Sequence, residues 1–193
     1  MLLMPHQVDR SIAVEVGCGA GERPAPLTQA GPAHLDIGVD VNLAVLQAAA
    51  RSTRTELVCA DGMRLPFRSG TVSAVTLRAV LHHLPRVDDA VREFARVLRV
   101  GGALIIVDGV ALSRTDAQAL DHELASAGLP AEPWYGFDVE WLSTVTINAG
   151  LGVDSIDLDG TATFATPPFV SRPYTSARFM LVATRGPAPT ASG

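Results

Sequence analysis

The chain contains no lysine; all 15 of its basic residues are arginine, so a Tyr-x-x-x-Lys hydride-transfer pattern is absent. Cysteine is nearly absent too. Cys18 and Cys59 stand far apart with no second thiol cluster, which leaves neither a disulfide framework nor a zinc site, and no metal is expected. A net charge of −5 with no cluster of basic residues offers no footprint for a phosphate backbone, so nucleic acid is excluded as a partner. No run approaches the ~18 apolar residues of a membrane span. The apolar start Met1-Leu2-Leu3-Met4 is cut off by Pro5, too early for a signal peptide. These absences read as a cytoplasmic protein with no membrane partner. Aromatic residues make up only 5%, so any place where they gather carries information.

What is present is enough for one α/β domain with a sizeable core: 193 residues, 48% hydrophobic and 18% charged. Residues 1–185 are expected to form that domain, and the Gly/Pro/Ala/Ser/Thr tail over 186–193 is expected to be disordered. The organising stretch is Ala13–Glu22, where a β-branched run over 12–16 ends on Glu15-x-Gly17-Cys18-Gly19-x-Gly21. Glycine permits positive φ in a strand-to-helix turn and lets a ligand lie against backbone N–H groups with no Cβ between them. A dinucleotide fingerprint would place a small residue where Glu22 stands, and Glu22 suits neither the packing nor a pyrophosphate. Glu15, just before the first glycine, favours a cationic ligand group. S-adenosylmethionine (SAM), with its α-amino group and sulfonium centre, fits this charge pattern. Cys18 reads as a small filler within the turn.

The rest of the chain alternates strands and helices. Residues 1–11 leave little ahead of the first strand, so any cover over the cofactor is expected from later segments. A short helix over 22–31, limited by Pro24 and Pro26, leads to a strand over 35–40 that ends on Asp40, nineteen residues after Gly21. That separation places an acid where it can accept bonds from ribose hydroxyls. Asn42 is available to cap a helix over 42–53. A strand over 56–59 precedes Asp61-Gly62-Met63, which puts a carboxylate above the sheet. A strand over 71–77 runs into Arg78-Ala79 and the pair His82-His83, of which at most one should face a substrate. A helix over 88–99, with Arg92, Arg96 and Arg99 outward, is expected to stop at Gly101-Gly102, before a central strand over 103–108.

Five segments in this order, Val-Glu-Val-Gly-Cys-Gly-Ala-Gly, Gly-Val-Asp-Val, Ala-Asp-Gly-Met-Arg-Leu-Pro-Phe, Leu-His-His-Leu and Glu-Phe-Ala-Arg-Val-Leu-Arg-Val-Gly-Gly-Ala-Leu-Ile-Ile-Val-Asp, resemble the class I SAM-dependent methyltransferases. Within that class the match is to the small-molecule branch that includes the ubiquinone and menaquinone C-methyltransferases, and it covers about residues 12–108. The resemblance implies a Rossmann-like, doubly wound seven-stranded sheet in the order 3-2-1-4-5-7-6 with the last strand antiparallel. It implies SAM as cofactor. Glu15, Gly17, Cys18, Gly19 and Gly21 would then hold its amino acid end, Asp40 and Val41 its ribose and adenine, and Asp61, Gly62 and Met63 the adenine. Arg78 and Ala79 would flank the methionine part, and His82 or His83 would border the substrate. The family's N-terminal cap helices and an acid near the position of Ser73 are not matched.

Beyond Gly109 the match weakens. Helices are expected over 114–127 and 138–149, and strands over 152–158 and 178–184, the last buried on both faces. The aromatic segments 133–137 and 167–174 are candidate substrate walls, with core plugs or a homodimer contact as the other readings. The expected activity is methyl transfer to a small-molecule acceptor, with His82 or His83 as general base or orienter. A SAM-binding structural or regulatory protein without transferase activity, its cavity plugged by the aromatic segments, is the alternative.

Overall fold

Short apolar runs alternating with helical stretches give parallel strands covered by helices. In the computed structural model, which describes residues 11–20, 34–51, 55–165, 168 and 170–187, β1 (Ser11–Val16), β2 (His34–Asp40), β3 (Glu56–Cys59), β4 (Val72–Arg78) and β5 (Leu98–Gly109) pair in parallel in the order β3-β2-β1-β4-β5. Beyond β5 lies β7 (Tyr174–Arg185), antiparallel to it, and then β6 (Leu151–Ala165), antiparallel to β7. This is the expected 3-2-1-4-5-7-6 order. The expected helix over 22–31, Gly21 and residues 188–193 of the tail lie outside the described residues. Chain direction across the sheet reverses between β1 and β4, and the carboxyl ends of those two strands therefore open a crevice.

Helices α1 (Leu43–Ala49), α2 (Val87–Val97), α3 (Arg114–Ser126) and α4 (Val139–Asn148) surround the sheet, and a 3₁₀ turn spans Leu81–His83. Asn42 caps α1, its side chain accepting from the N–H groups of Ala44 and Val45 at 3.0 and 3.3 Å. The helix ends at Ala49, short of the expected 53. In α2 the residues Val87, Ala90, Val91, Phe94 and Ala95 form the buried face.

Two features of this region differ from expectation. First, α2 stops at Val97 rather than 99. Leu98 is fully buried and extended, paired opposite Val72, so the sheet captures it before the glycines are reached. Gly101 and Gly102 thus lie inside β5, where Gly101 has φ +73° and the register slips between Val72 and Ala74. Second, Arg96 does not simply point outward. Paired with Glu93, it donates to the carbonyls of Leu65 and Phe67 and to Ser69, while Glu93 accepts from the Leu65 N–H. Together they clamp the 65–69 loop to α2.

The last two strands are longer than expected and depart from the sheet. β5 ends at Gly109 opposite Arg178, whereas β6 and β7 keep pairing from Thr161–Ala177 out to Ala165–Tyr174. This leaves a two-stranded arm beyond the carboxyl end of β5. Its tip is fastened to α3, where Tyr174 and Val170 pack with Leu120 and Leu124 and the Tyr174 hydroxyl donates to Glu123 at 2.9 Å. β7 is not buried on both faces: Phe179, Leu181 and Ala183 are buried, Met180 and Val182 only partly, because one face meets the core and the other is incompletely covered.

Candidate functional site

β1 ends in a turn that only glycine can make. Gly17 has φ +68°, and a Cβ there would lie 2.4 Å from Val80 Cγ2. The N–H groups of Gly17 and Cys18 donate to the Val39 carbonyl at 2.7 and 3.1 Å, and that of Gly19 donates to Asp40 Oδ2 at 3.0 Å. These three amides therefore tie the turn to β2 instead of facing outward. Asp40 also accepts from the Asn42 N–H at 2.9 Å. Among the described residues each Asp40 oxygen thus accepts one bond, and a carboxylate has about four acceptor positions, which leaves capacity for a ligand. Asp61 accepts from the Met63 N–H at 2.8 Å in a tight turn, and Gly62 is buried with room for no Cβ, since one would meet Val16 Cγ1 at 2.8 Å.

These groups surround a cavity of about 520 Å³ at the crevice, whose lining includes Gly17, Asp40, Val41, Asp61, Gly62, Ala79 and His83, together with Val16, Val39, Ala60, Val80 and Leu84. Glu15, Cys18, Gly19 and Met63 are not in this lining. Gly19 and Met63 act on it through the bonds to Asp40 and Asp61. Cys18 is buried against Gly38, and burial, followed by the carboxylates of Asp40 and Glu15, pushes its thiol up to about 11. It is a neutral filler at ordinary pH.

A second cavity, of about 330 Å³, shares Ala79 with the first and is lined by Arg78, His82, Val107, Asp108 and Gly109 on the sheet side and by Thr161, Ala162, Thr163, Phe164 and Arg178 from the arm. Ala79 sits at φ 52°, uncommon for a residue with a side chain, and is held by its N–H bond to the Val107 carbonyl at 2.8 Å. The two histidines have separate partners. His82 Nδ1 lies 2.8 Å from Asp108 Oδ1, with the histidine 13% and the aspartate 2% exposed. Asp108 also accepts from the N–H groups of His82 (3.3 Å) and Gly109 (2.8 Å). His83, half exposed, pairs with Glu132 at 2.7 Å and borders the first cavity. In the neutral tautomer that donates Nδ1–H to the Asp108 carboxylate, His82 carries its lone pair on Nε2.

The described residues of the aromatic segments are packing elements rather than walls of these cavities, and Pro167 and Phe169 lie outside the described residues. Trp134, Phe137 and Trp141 stack on one another, Trp134 Nε1 donates to the Leu84 carbonyl, and Phe137 and Tyr174 are buried. The ring in the second cavity is Phe164, with its centroid 6.0 Å from that of His82 and in edge contact. Sequence reasoning missed Phe164, Arg178 and Asp108. For Asp108 a signal existed: an acid at the carboxyl end of a buried strand, the same cue that marked Asp40. For the arm residues the alternation over 161–165 indicates a strand but not its position. No cluster of metal-ligating side chains occurs among the described residues.

Residues 14–106 match the protein family described as "Methyltransferase domain". The chain is 34% identical over 95 residues to a demethylmenaquinone methyltransferase of Corynebacterium kroppenstedtii, covering 49% of this chain and 40% of that protein. It is 33% identical over 109 residues to an uncharacterized chloroplastic methyltransferase of Arabidopsis thaliana, covering 51% and 31%. It thus spans less than half the length of these curated relatives. Its fold is similar to that of a SAM-dependent methyltransferase of Methanosarcina mazei, with a TM-score of 0.70 at 16% identity, covering 96% of this chain and 99% of the other.

Proposed function

We propose that the chain, whose residues 14–106 match a methyltransferase domain, is a class I SAM-dependent methyltransferase that moves a methyl group from SAM to a small-molecule acceptor. The observation that carries this reading is the pair of cavities meeting at Ala79, one edged by strand-end carboxylates and the other by a buried histidine–carboxylate pair. The first cavity fits SAM. Asp40 has acceptor capacity for ribose hydroxyls, Val41 and Asp61 flank the place of the adenine, and Gly17 has no room for a side chain that would fill the cavity. Bound there, SAM supplies an electrophilic methyl carbon on a sulfonium sulfur.

This chain's own residues align, exclude water and hold a proton. Glu15, Gly17, Cys18 and Gly19 form the turn beside the amino acid end, and Gly21, outside the described residues, is proposed for the same role. Gly62 and Met63 shape the adenine side, and Arg78 and Ala79 form the partition between the cavities. His82 Nε2 takes the acceptor's proton and Asp108 positions the ring, a contribution of about 10²–10⁴-fold. His83 is assigned a bordering role only.

The named quinone methyltransferases among the relatives support a metabolite as acceptor. The net charge of −5 supports a partner other than nucleic acid, and two free cysteines are in keeping with a cytoplasmic setting. The plugged-cavity alternative has no support among the described residues, because no described residue of the two aromatic segments lines either cavity. The test is incubation of the purified chain with methyl-labelled SAM and a metabolite extract. Transfer of label to a small molecule supports the proposal, and SAM binding without transfer to any fraction contradicts it.

A further inference from the structure

The arm's side of the second cavity contains a specific combination of groups that the cofactor does not use. We infer that the acceptor is a hydroxylated aromatic ring bearing an anionic substituent, with Phe164 and Arg178 as its specificity determinants; this rests on the methyl-transfer reading above. Three observations converge. Phe164 lies against Gly109, whose missing Cβ would stand 2.5 Å from the ring, and the ring is in edge contact with His82, so it forms one wall of a slot beside the proton-accepting nitrogen. The lining beside Phe164 is small or hydroxylated, with Ala162, Thr161 and Thr163, the sheet side adds Ala79, Val107 and the cationic Arg78, and about 330 Å³ suits a ring with a few substituents.

The third observation is the charge opposite His82. Arg178, from β7, borders the same cavity, and only its Nε is committed at hydrogen-bond distance, to the Asp159 carbonyl at 2.8 Å. Its ion pair with the Asp159 carboxylate is long, 3.6 Å, and Asp159 is 90% exposed, so water screens it heavily. The acid inside the cavity, Asp108, is already occupied by His82 and two backbone amides. The guanidinium, whose terminal N–H groups reach Asp159 only over that long ion pair, borders a slot that also holds an aromatic wall and a histidine, and such a planar fork selects a carboxylate or similar anion by a paired, charge-assisted contact. In the reaction the ring hydroxyl's proton passes to His82 Nε2, an O–C bond forms to the methyl carbon, and the C–S bond breaks with its electron pair leaving on sulfur. The products are a methyl ether, a neutral thioether and a histidine that returns its proton to water.

The experiment measures methyl-ether formation from SAM by the full chain with the three hydroxybenzoate isomers and the matching hydroxybenzamides, alongside calorimetric titration of SAM. At least one hydroxybenzoate is expected to be methylated with kcat/KM about tenfold or more above its amide. In Arg178→Gln that acid-to-amide ratio falls to about one, and Arg178→Lys restores part of it. Phe164→Ala lowers kcat/KM for acid and amide alike. Equal use of acids and amides by the wild type, a ratio unmoved in Arg178→Gln, or SAM binding with no hydroxybenzoate methylated each overturns the inference while the transfer reading stands. Failure to bind SAM removes both.

Discussion

The glycine turn after β1 and the β6–β7 arm face each other across Ala79, and they are made in opposite ways. In the turn, function depends on what the backbone can do. Gly17 must occupy φ +68° beside Val80, and the turn is locked to β2 through Val39 and Asp40, so residue types are dictated one by one. In the arm, position comes from strand pairing that outlasts β5, and Phe164 there and Arg178 at its base, opposite Gly109, border the cavity because of register, with no backbone requirement for their identity. On the proposed cofactor side, backbone geometry dictates residue type, whereas on the proposed acceptor side strand register sets the position and leaves the side chain's chemistry open.

That contrast makes distinct predictions for the two sides. The largest effect belongs to the shared border: His82→Ala should lower kcat by about 10²–10⁴-fold with SAM affinity retained, and Asp108→Asn should change kcat in the same direction, whereas His83→Ala should lose less than tenfold. Steady-state kinetics with paired calorimetry checks this, and a dominant loss in His83→Ala would transfer the proton-accepting role to the first cavity. Next, Gly17→Ala places a Cβ into Val80 at a left-handed φ and should destabilise the fold by about 3 kcal/mol, read in chemical denaturation. Native stability would mean that the turn is not constrained as described.

Smaller changes sharpen the comparison. Asp40→Asn should weaken SAM by about 1–3 kcal/mol in calorimetry while leaving the arm's acid-to-amide preference intact. Arg96→Ala releases the 65–69 loop from α2 and should cost about 1–2 kcal/mol in thermal or urea unfolding, without changing the acceptor preference. The smallest effect is in thiol chemistry. Because burial and the carboxylates of Asp40 and Glu15 raise Cys18 to about 11, its thiolate is scarce at pH 8, and iodoacetamide should label exposed Cys59 first, as peptide mapping would show.

The same contrast explains what could be read from the sequence. The places of Gly17, Asp40 and Asp61 at the crevice are legible because each turn or strand end tolerates few residue types, and the strand order follows from the family those motifs resemble. Gly101-Gly102 is a strong stop signal locally, yet burial of Leu98 opposite Val72 ends α2 earlier. The aromatic segments looked like walls because rings are scarce, but scarcity does not tell whether Trp134 and Trp141 stack on each other or face a ligand. Phe164 and Arg178 could not be found because their placement depends on a pairing register between strands whose sequences do not specify where the sheet ends.

The central claim is a division of labour across Ala79, with the nucleoside on the Asp40 side and the transferable methyl directed toward His82. A crystal structure of the chain with the demethylated product S-adenosylhomocysteine tests it most directly. The account expects the ribose hydroxyls on Asp40, the adenine beside Val41 and Asp61, and the sulfur facing the cavity that contains His82 and Phe164; a nucleoside lodged under the arm, or a sulfur turned away from His82, would contradict it.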